Sequence, residues 1–191
     1  NGVGSIHITG KTFPVNEPDA GGLFLERDIE GTVLRQIGIL RSTSQESDRD
    51  LHLSLNIGLP LVDPTGGFYF VFQTGRPMFR KYDKDGVLQF ERHIEGIELD
   101  GQIQALPTTW PKRTAGALPL VSPLVRTAAV DPDGRLWVSL MTPFTYVYNR
   151  NGDKVRTVQF DAFGAVSPTS LFFTRRGRLL VTPGCHEFVV K

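Results

Sequence analysis

The chain has 191 residues, 40% hydrophobic and 21% charged, which is enough apolar material for a sizeable core and excludes a wholly disordered chain. Its 21 Lys and Arg stand against 20 Asp and Glu, and a net charge of +1 gives no bulk field for binding nucleic acid or an anionic membrane. No apolar run approaches the roughly 20 residues of a membrane-spanning helix, and the single cysteine, Cys185, excludes an internal disulfide.

Taken in chain order, Asn1–Ile8 reads as the end of one tight turn and the strand that follows it. Phe24 to Val33 is the first turn-centred pair, with Asp28-Ile29-Glu30-Gly31 between two stretches rich in β-formers. Ser44 to Leu55 is polar and short, and reads as loop. Leu61 to Val71 is the next hairpin, built on Asp63-Pro64-Thr65-Gly66-Gly67, and Phe79 to Leu88 follows with Asp83-Lys84-Asp85-Gly86. Asp satisfies its own backbone, Pro presets φ, and Gly accepts positive φ, so these segments have the chemistry of β-hairpin turns.

Residues 95–123 break the rhythm with Pro, Gly and Thr, long enough to suggest a functional or partner-contacting segment. The hairpins then resume. Ala129 to Val138 turns on Asp131-Pro132-Asp133-Gly134, Tyr146 to Val155 on Asn149-Arg150-Asn151-Gly152, and Phe172 to Val181 on Thr174-Arg175-Arg176-Gly177. Two hairpin types therefore alternate, an A–B turn and a C–D turn. Four antiparallel strands, repeated, make the blade of a β-propeller. The predicted fold is all-β, with a partial blade over 1–40, blades over 58–94 and 124–160, the insertion 95–123 between them, and a partial blade over 167–191. In this register the chain opens on strand B of one blade and stops after strand C of a fourth, which predicts a stretch of a longer propeller.

The run Asp131-Pro132-Asp133-Gly134-Arg135-Leu136-Trp137-Val138, followed by Val147 to Gly152, resembles the NHL-type repeat. The same pattern is found in six-bladed propellers of the gluconolactonase–regucalcin group and in streptogramin-lyase-like propellers. The resemblance covers 59–94 and 124–191 well and 1–40 weakly. It implies about two further blades, and a secreted or periplasmic location by analogy. Function is less constrained, because this fold hosts enzymes and binding modules alike.

In such a blade the A–B and C–D turns share one face, and the B–C and D–A connections share the other. Here the first set is short and uniform, while the second is long and irregular: 40–57 and 95–123 for D–A, and 10–21, 73–77, 140–145 and 183–186 for B–C. The loop-rich face is therefore the expected working face. Its candidate binding residues are Arg76, Trp110, Arg113 and Arg126, of types enriched at binding interfaces or able to pair an anion. Thr145, His186 and Glu187 join them because they begin strand C in their blades, where the resemblance points toward the upper channel. Trp137 is assigned to the core between blades, and Cys185 reads as a buried or partly buried free thiol.

No nucleophile elbow, phosphate loop, dinucleotide fingerprint or paired-cysteine zinc motif is present. His186 has no histidine at matching points of the other blades, so no metal site and no catalytic set is assigned. Cofactors are expected to be absent, although the resemblance leaves calcium in the central channel open. The reading that follows is a non-catalytic module binding a protein, peptide or glycan, with neither nucleic acid nor membrane insertion. A metal-dependent lactonase- or lyase-like enzyme and a structural subunit of a larger assembly are the alternatives. Oligomeric state is not legible.

Overall fold

The computed structural model describes residues 10–110, 121–161, 165–174 and 176–189. The expected strand over Asn1–Ile8 and the residues Arg113 and Arg175 lie outside them. In chain order the elements are β1 (Thr12–Val15), β2 (Gly22–Asp28), β3 (Val33–Ile39), α1 (Arg49–Leu55), β4 (Gly58–Val62), β5 (Phe68–Phe72), β6 (Met78–Tyr82), β7 (Leu88–His93), α2 (Ile97–Gln104), β8 (Val125–Val130), β9 (Leu136–Leu140), β10 (Thr145–Tyr148), β11 (Lys154–Val158), β12 (Phe160–Asp161), β13 (Ala165–Val166), β14 (Ser170–Phe173), β15 (Arg178–Thr182) and β16 (His186–Val189).

These strands form two four-stranded antiparallel sheets, β4-β5-β6-β7 and β8-β9-β10-β11, flanked by three-stranded sheets β1-β2-β3 and β14-β15-β16. We number them blades 1 to 4 in chain order. Inner strands lie side by side, β4 against β8 and β8 against β14. The register explains why β1-β2-β3 are strands B, C and D. A bulge falls between Glu26 and Arg27 in β2, between Lys81 and Tyr82 in β6, and between Val147 and Tyr148 in β10. The same irregularity at the same place marks three C–D hairpins.

Sequence composition tracks depth within a blade. Strands β5 and β9 are apolar throughout apart from Ser139 and buried at every residue, whereas the outer strands β7 and β11 are mostly polar and mostly exposed. A strand sandwiched between two sheets has no solvent face to keep polar. Alternation then assigns each side chain to one neighbour. Phe68, Phe70 and Phe72 of β5 pack on Leu23, Phe24 and Ile37 of blade 1. Tyr69 and Val71, between them, pack on Leu136, Val138 and Leu140 of blade 3. Trp137, on the opposite side of β9, packs with Leu171, Leu179 and Val181 of blade 4, its ring 5.4 Å from that of Phe173. Trp137 is thus an inter-blade core residue, as the repeat predicts.

The tight turns share one template. At Asp28, Asp63, Asp83, Asp131, Asn149 and Thr174 the backbone N–H donates to the carbonyl four residues on, and the glycine N–H three residues on donates back. The first side chain caps the turn from inside: Asp83 Oδ1 accepts from the N–H groups of Asp85 and Val87, Asp131 Oδ1 from those of Asp133 and Arg135, and Asn149 Oδ1 from those of Asn151 and Asp153. Turn chemistry accounts for these acidic residues without calcium.

Four local expectations need correction. Strand B of blade 1 is Thr12–Val15, inside the span read as its B–C connection. Two helices occur where none was expected. Helix α1 is capped by Asp48, whose Oδ1 accepts from Leu51 N at 3.2 Å, and it buries only Leu51 and Leu55. One apolar pair at i, i+4 gives too little periodicity to read in advance. Helix α2 buries Leu99 alone and contains Gly101, which opposes helix formation. Its anchor is tertiary: Tyr146 Oη donates to Glu98 Oε2 at 2.6 Å, holding the Glu98 carboxyl below its usual range, while burial and then Glu98 push the Tyr146 phenol up. Strand D of blade 3 ends at Val158, and Phe160 begins a small hairpin, β12–β13. Finally, Cys185 is exposed, on a turn between β15 and β16.

Because the Tyr146 phenol ties α2 to β10 beside the buried Leu99, Tyr146→Phe should loosen the helix at a cost of about 1 kcal/mol. Amide hydrogen exchange of residues 97–104 checks this: those amides should exchange faster while β8–β11 keep their protection.

Candidate functional site

The D–A and B–C connections of blades 1 and 2 meet in a cleft of about 390 Å³ that opens to solvent. Three stretches build it. Arg41, Ser42, Thr43 and Gln45 come from the connection after β3, with Leu55 from the end of α1. Gly75 and Arg76 come from the B–C connection of blade 2, with Met78 and His93 at the adjoining strand ends. Leu106, Pro107, Thr108 and Trp110 follow α2.

The loop that carries Gly75 and Arg76 is held on two sides. Gln73 N donates to Ile57 O at 3.0 Å, and Gln73 O accepts from Leu124 N at 2.8 Å. Thr74 Oγ1 donates to Ser54 O at 2.7 Å, and Gln73 Nε2 reaches the carbonyls of Val125 and Arg126. The short loop 73–77 is therefore bonded to α1 on one side and to blade 3 on the other.

Arg41 locks the cleft wall. Its guanidinium donates to the carbonyls of Leu55 (2.6 Å), Thr74 (2.5 Å) and Arg76 (2.8 Å) and stacks 4.4 Å from the Phe72 ring. Three of its five N–H donors are thereby used. Burial, and then the neighbouring Arg80, push the Arg41 pKa down to about 10, so the side chain keeps its charge at neutral pH. Gly75 has φ +63, and a Cβ there would come within 2.9 Å of Arg41 Nη2. Glycine is what lets the guanidinium lie against this loop.

The acidic groups nearby are each engaged with a partner. Glu91 pairs with the buried Arg80 at 2.6 Å. Glu95 pairs with Arg76 at 3.5 Å, with both side chains well exposed, so the pair contributes little. Glu46 Oε1 accepts from Ser42 Oγ and from the N–H groups of Thr43 and Ser44, folding residues 42–46 into a turn. Those bonds, first the one from Thr43 and then the one from Ser42, lower the Glu46 pKa to about 2. A depressed carboxyl supports the fold above its unfolded value, and that support is lost as pH falls through the folded one. Glu46 should therefore titrate near pH 2, with the turn intact down to about pH 4; carbon-detected NMR of its carboxyl checks this.

The cleft brings together two of the residues singled out from sequence, Arg76 and Trp110. The others lie elsewhere. Arg126 is on β8, half-buried, and its Nε is buried without a hydrogen-bond partner among the described residues. Thr145 is fully buried, sharing a hydrogen bond with Ser139 at 2.6 Å, so its side chain belongs to the interior of blade 3 and not to the loop face. Its position at the start of strand C was legible, but the depth was not. His186 is half-buried at the start of β16, and Glu187 pairs with Arg178 at 3.0 Å on the surface of the same hairpin. Arg41, His93 and Leu106 were missed; only their places at strand ends and connections could have pointed to them. Among the described residues no three His, Cys, Asp or Glu side chains gather as a metal ion would need, and no helix is long and apolar enough to cross a membrane.

Stacked antiparallel blades with adjacent inner strands make this an all-β propeller chain with partial blades at both ends of the described region. No family model and no curated protein matches the sequence. Solved structures do. The WD40 β-propeller domain of Doa1 superposes with a TM-score of 0.53 at 11% identity, over 94% of this chain and 47% of that one. A Bacteroides caccae protein of unknown function superposes with a TM-score of 0.51 at 15% identity, over 94% of this chain and 52% of that one. The chain thus spans about half the length of these solved structures, and the likeness is one of fold.

Proposed function

We propose that this chain is part of a non-catalytic propeller module that binds its target through the loop-rich face, at the cleft between blades 1 and 2. The observation that carries this reading is the contrast between the two faces. The A–B and C–D turns follow one hydrogen-bonded template, whereas the opposite connections carry two helices and together wall the cleft. A rigid scaffold that presents variable loops around a preformed cleft is suited to recognition. Within the wider fold we assign the blades to the NHL type, on the Asp131–Val138 run and the recurring C–D register, and the complete ring to six blades.

A panel of immobilised peptides and glycans, probed with the purified protein, tests this reading. Binding lost on Trp110→Ala but kept on the turn-face variant Lys84→Ala supports it. Binding that survives Trp110→Ala and fails on Lys84→Ala would move the working face to the opposite side and overturn it.

A further inference from the structure

The lining of the cleft has a charge pattern that specifies more than binding in general. Among the described residues its charged side chains are Arg41 and Arg76, with His93 in the same lining, and no carboxylate lines it. The chain as a whole is balanced at +1, so this local excess is a property of the place. Of the nearby acids, Glu91 is committed to Arg80 and Glu46 to its own turn. Among the described residues the Arg76 side chain has one ion pair, at 3.5 Å with Glu95, both mostly exposed, which a better-placed carboxylate can displace.

The rest of the lining includes the apolar side chains of Leu55, Met78, Leu106 and Pro107 and the half-buried Trp110. Arginine beside an aromatic anchor is the pairing on which binding energy concentrates. The cleft opens to solvent, so an extended chain can seat part of its length there, and the cations of the lining complement an acidic one. Resting on the reading of the loop face as the binding face, we infer that the cleft takes an acidic peptide segment, with a carboxylate on Arg76 and an adjacent apolar side chain against Trp110. Arg41, bonded to three carbonyls, fixes the wall and adds its field.

The test uses three synthetic peptides with the same Leu-Phe centre and flanks of Asp and Glu, of Asn and Gln, or of Lys and Arg. Binding to the full chain is followed by the fluorescence anisotropy of a dye carried on each peptide, a readout that does not depend on Trp110. The acidic peptide should bind at least tenfold tighter than the neutral one, and added salt should weaken it. Arg76→Ala should cost about tenfold in affinity for the acidic peptide and leave the neutral one unchanged. Trp110→Ala should weaken both. Circular dichroism and thermal unfolding confirm that each variant is folded; Arg76→Gln and Trp110→Phe serve if an alanine variant is not. Equal affinity for all three peptides, lost on Trp110→Ala, would overturn the acidic specificity and leave the binding face standing. A glycan that binds and is lost on Trp110→Ala, with no peptide binding, would do the same. No binding by any probe would overturn both.

Discussion

Asp131→Ala should destabilise the protein by about 3–5 kcal/mol, because a buried, multiply bonded carboxylate is removed and its partners are left behind. Asp131 is 1% exposed. Its Oδ1 accepts from the N–H groups of Asp133 and Arg135, and its Oδ2 accepts from Arg135 Nε at 2.6 Å and from Trp137 Nε1 at 3.0 Å. In the alanine variant the indole N–H stays buried between blades 3 and 4 with no acceptor, and an unmade buried hydrogen bond costs more than a made one contributes. Asp131→Asn keeps the shape and an acceptor oxygen, so it should cost less than half as much. Urea unfolding of the three proteins measures the difference. A loss under about 1 kcal/mol for Asp131→Ala would mean that the turn does not depend on its first side chain.

Phe79→Ala should cost a similar amount, about 3–5 kcal/mol, for a different reason. Phe79 is fully buried on β6, its ring 4.8 Å from Tyr148 of blade 3 and 6.2 and 6.3 Å from Tyr69 and Phe90 of its own blade. Truncation opens a void at the seam between blades 2 and 3 that a twisted, interlocked pair of sheets closes only in part. Val155→Ala, on the exposed outer strand β11, is the control and should stay within about 0.5 kcal/mol. Chemical unfolding followed by both far-ultraviolet circular dichroism and Trp137 fluorescence checks the size and also the coupling. If blades share one core, both probes move together.

What was legible in the sequence was whatever local chemistry dictates. The turns that open on Asp, Asn or Thr and close on Gly three residues later marked each hairpin, because side-chain capping and positive φ are properties of four or five consecutive residues. The apolar Phe68–Phe72 run and the mostly polar Leu88–His93 run also carry the imprint of their depth, because a strand buried on both faces keeps no polar side while an exposed one does. Trp137 was placed in the inter-blade core by its position in the repeat, and it packs there. What was not legible depended on distant partners. Helix α2 is pinned by Tyr146, some fifty residues on, and nothing within Ile97–Gln104 announces that bond. Arg41 looked like any arginine in a polar stretch until Leu55, Thr74 and Arg76 came round it. Thr145 shared its place in the repeat with Arg76-Pro77-Met78, but the bonding to Ser139 that draws it inward is a cross-strand event of its own blade. Arg76 and Trp110 meet because an insertion folds back over the preceding blade, a long-range outcome that residue types suggested only as a surface preference.

The loop-face cleft is the centre of this account, and amide hydrogen exchange with the acidic peptide bound at saturation tests it most directly. Slowed exchange should appear in residues 41–45, 73–78 and 106–110, with the turns at 63–67, 83–87, 131–135 and 149–153 unchanged. Protection at those turns, with the three cleft segments unaffected, would contradict it.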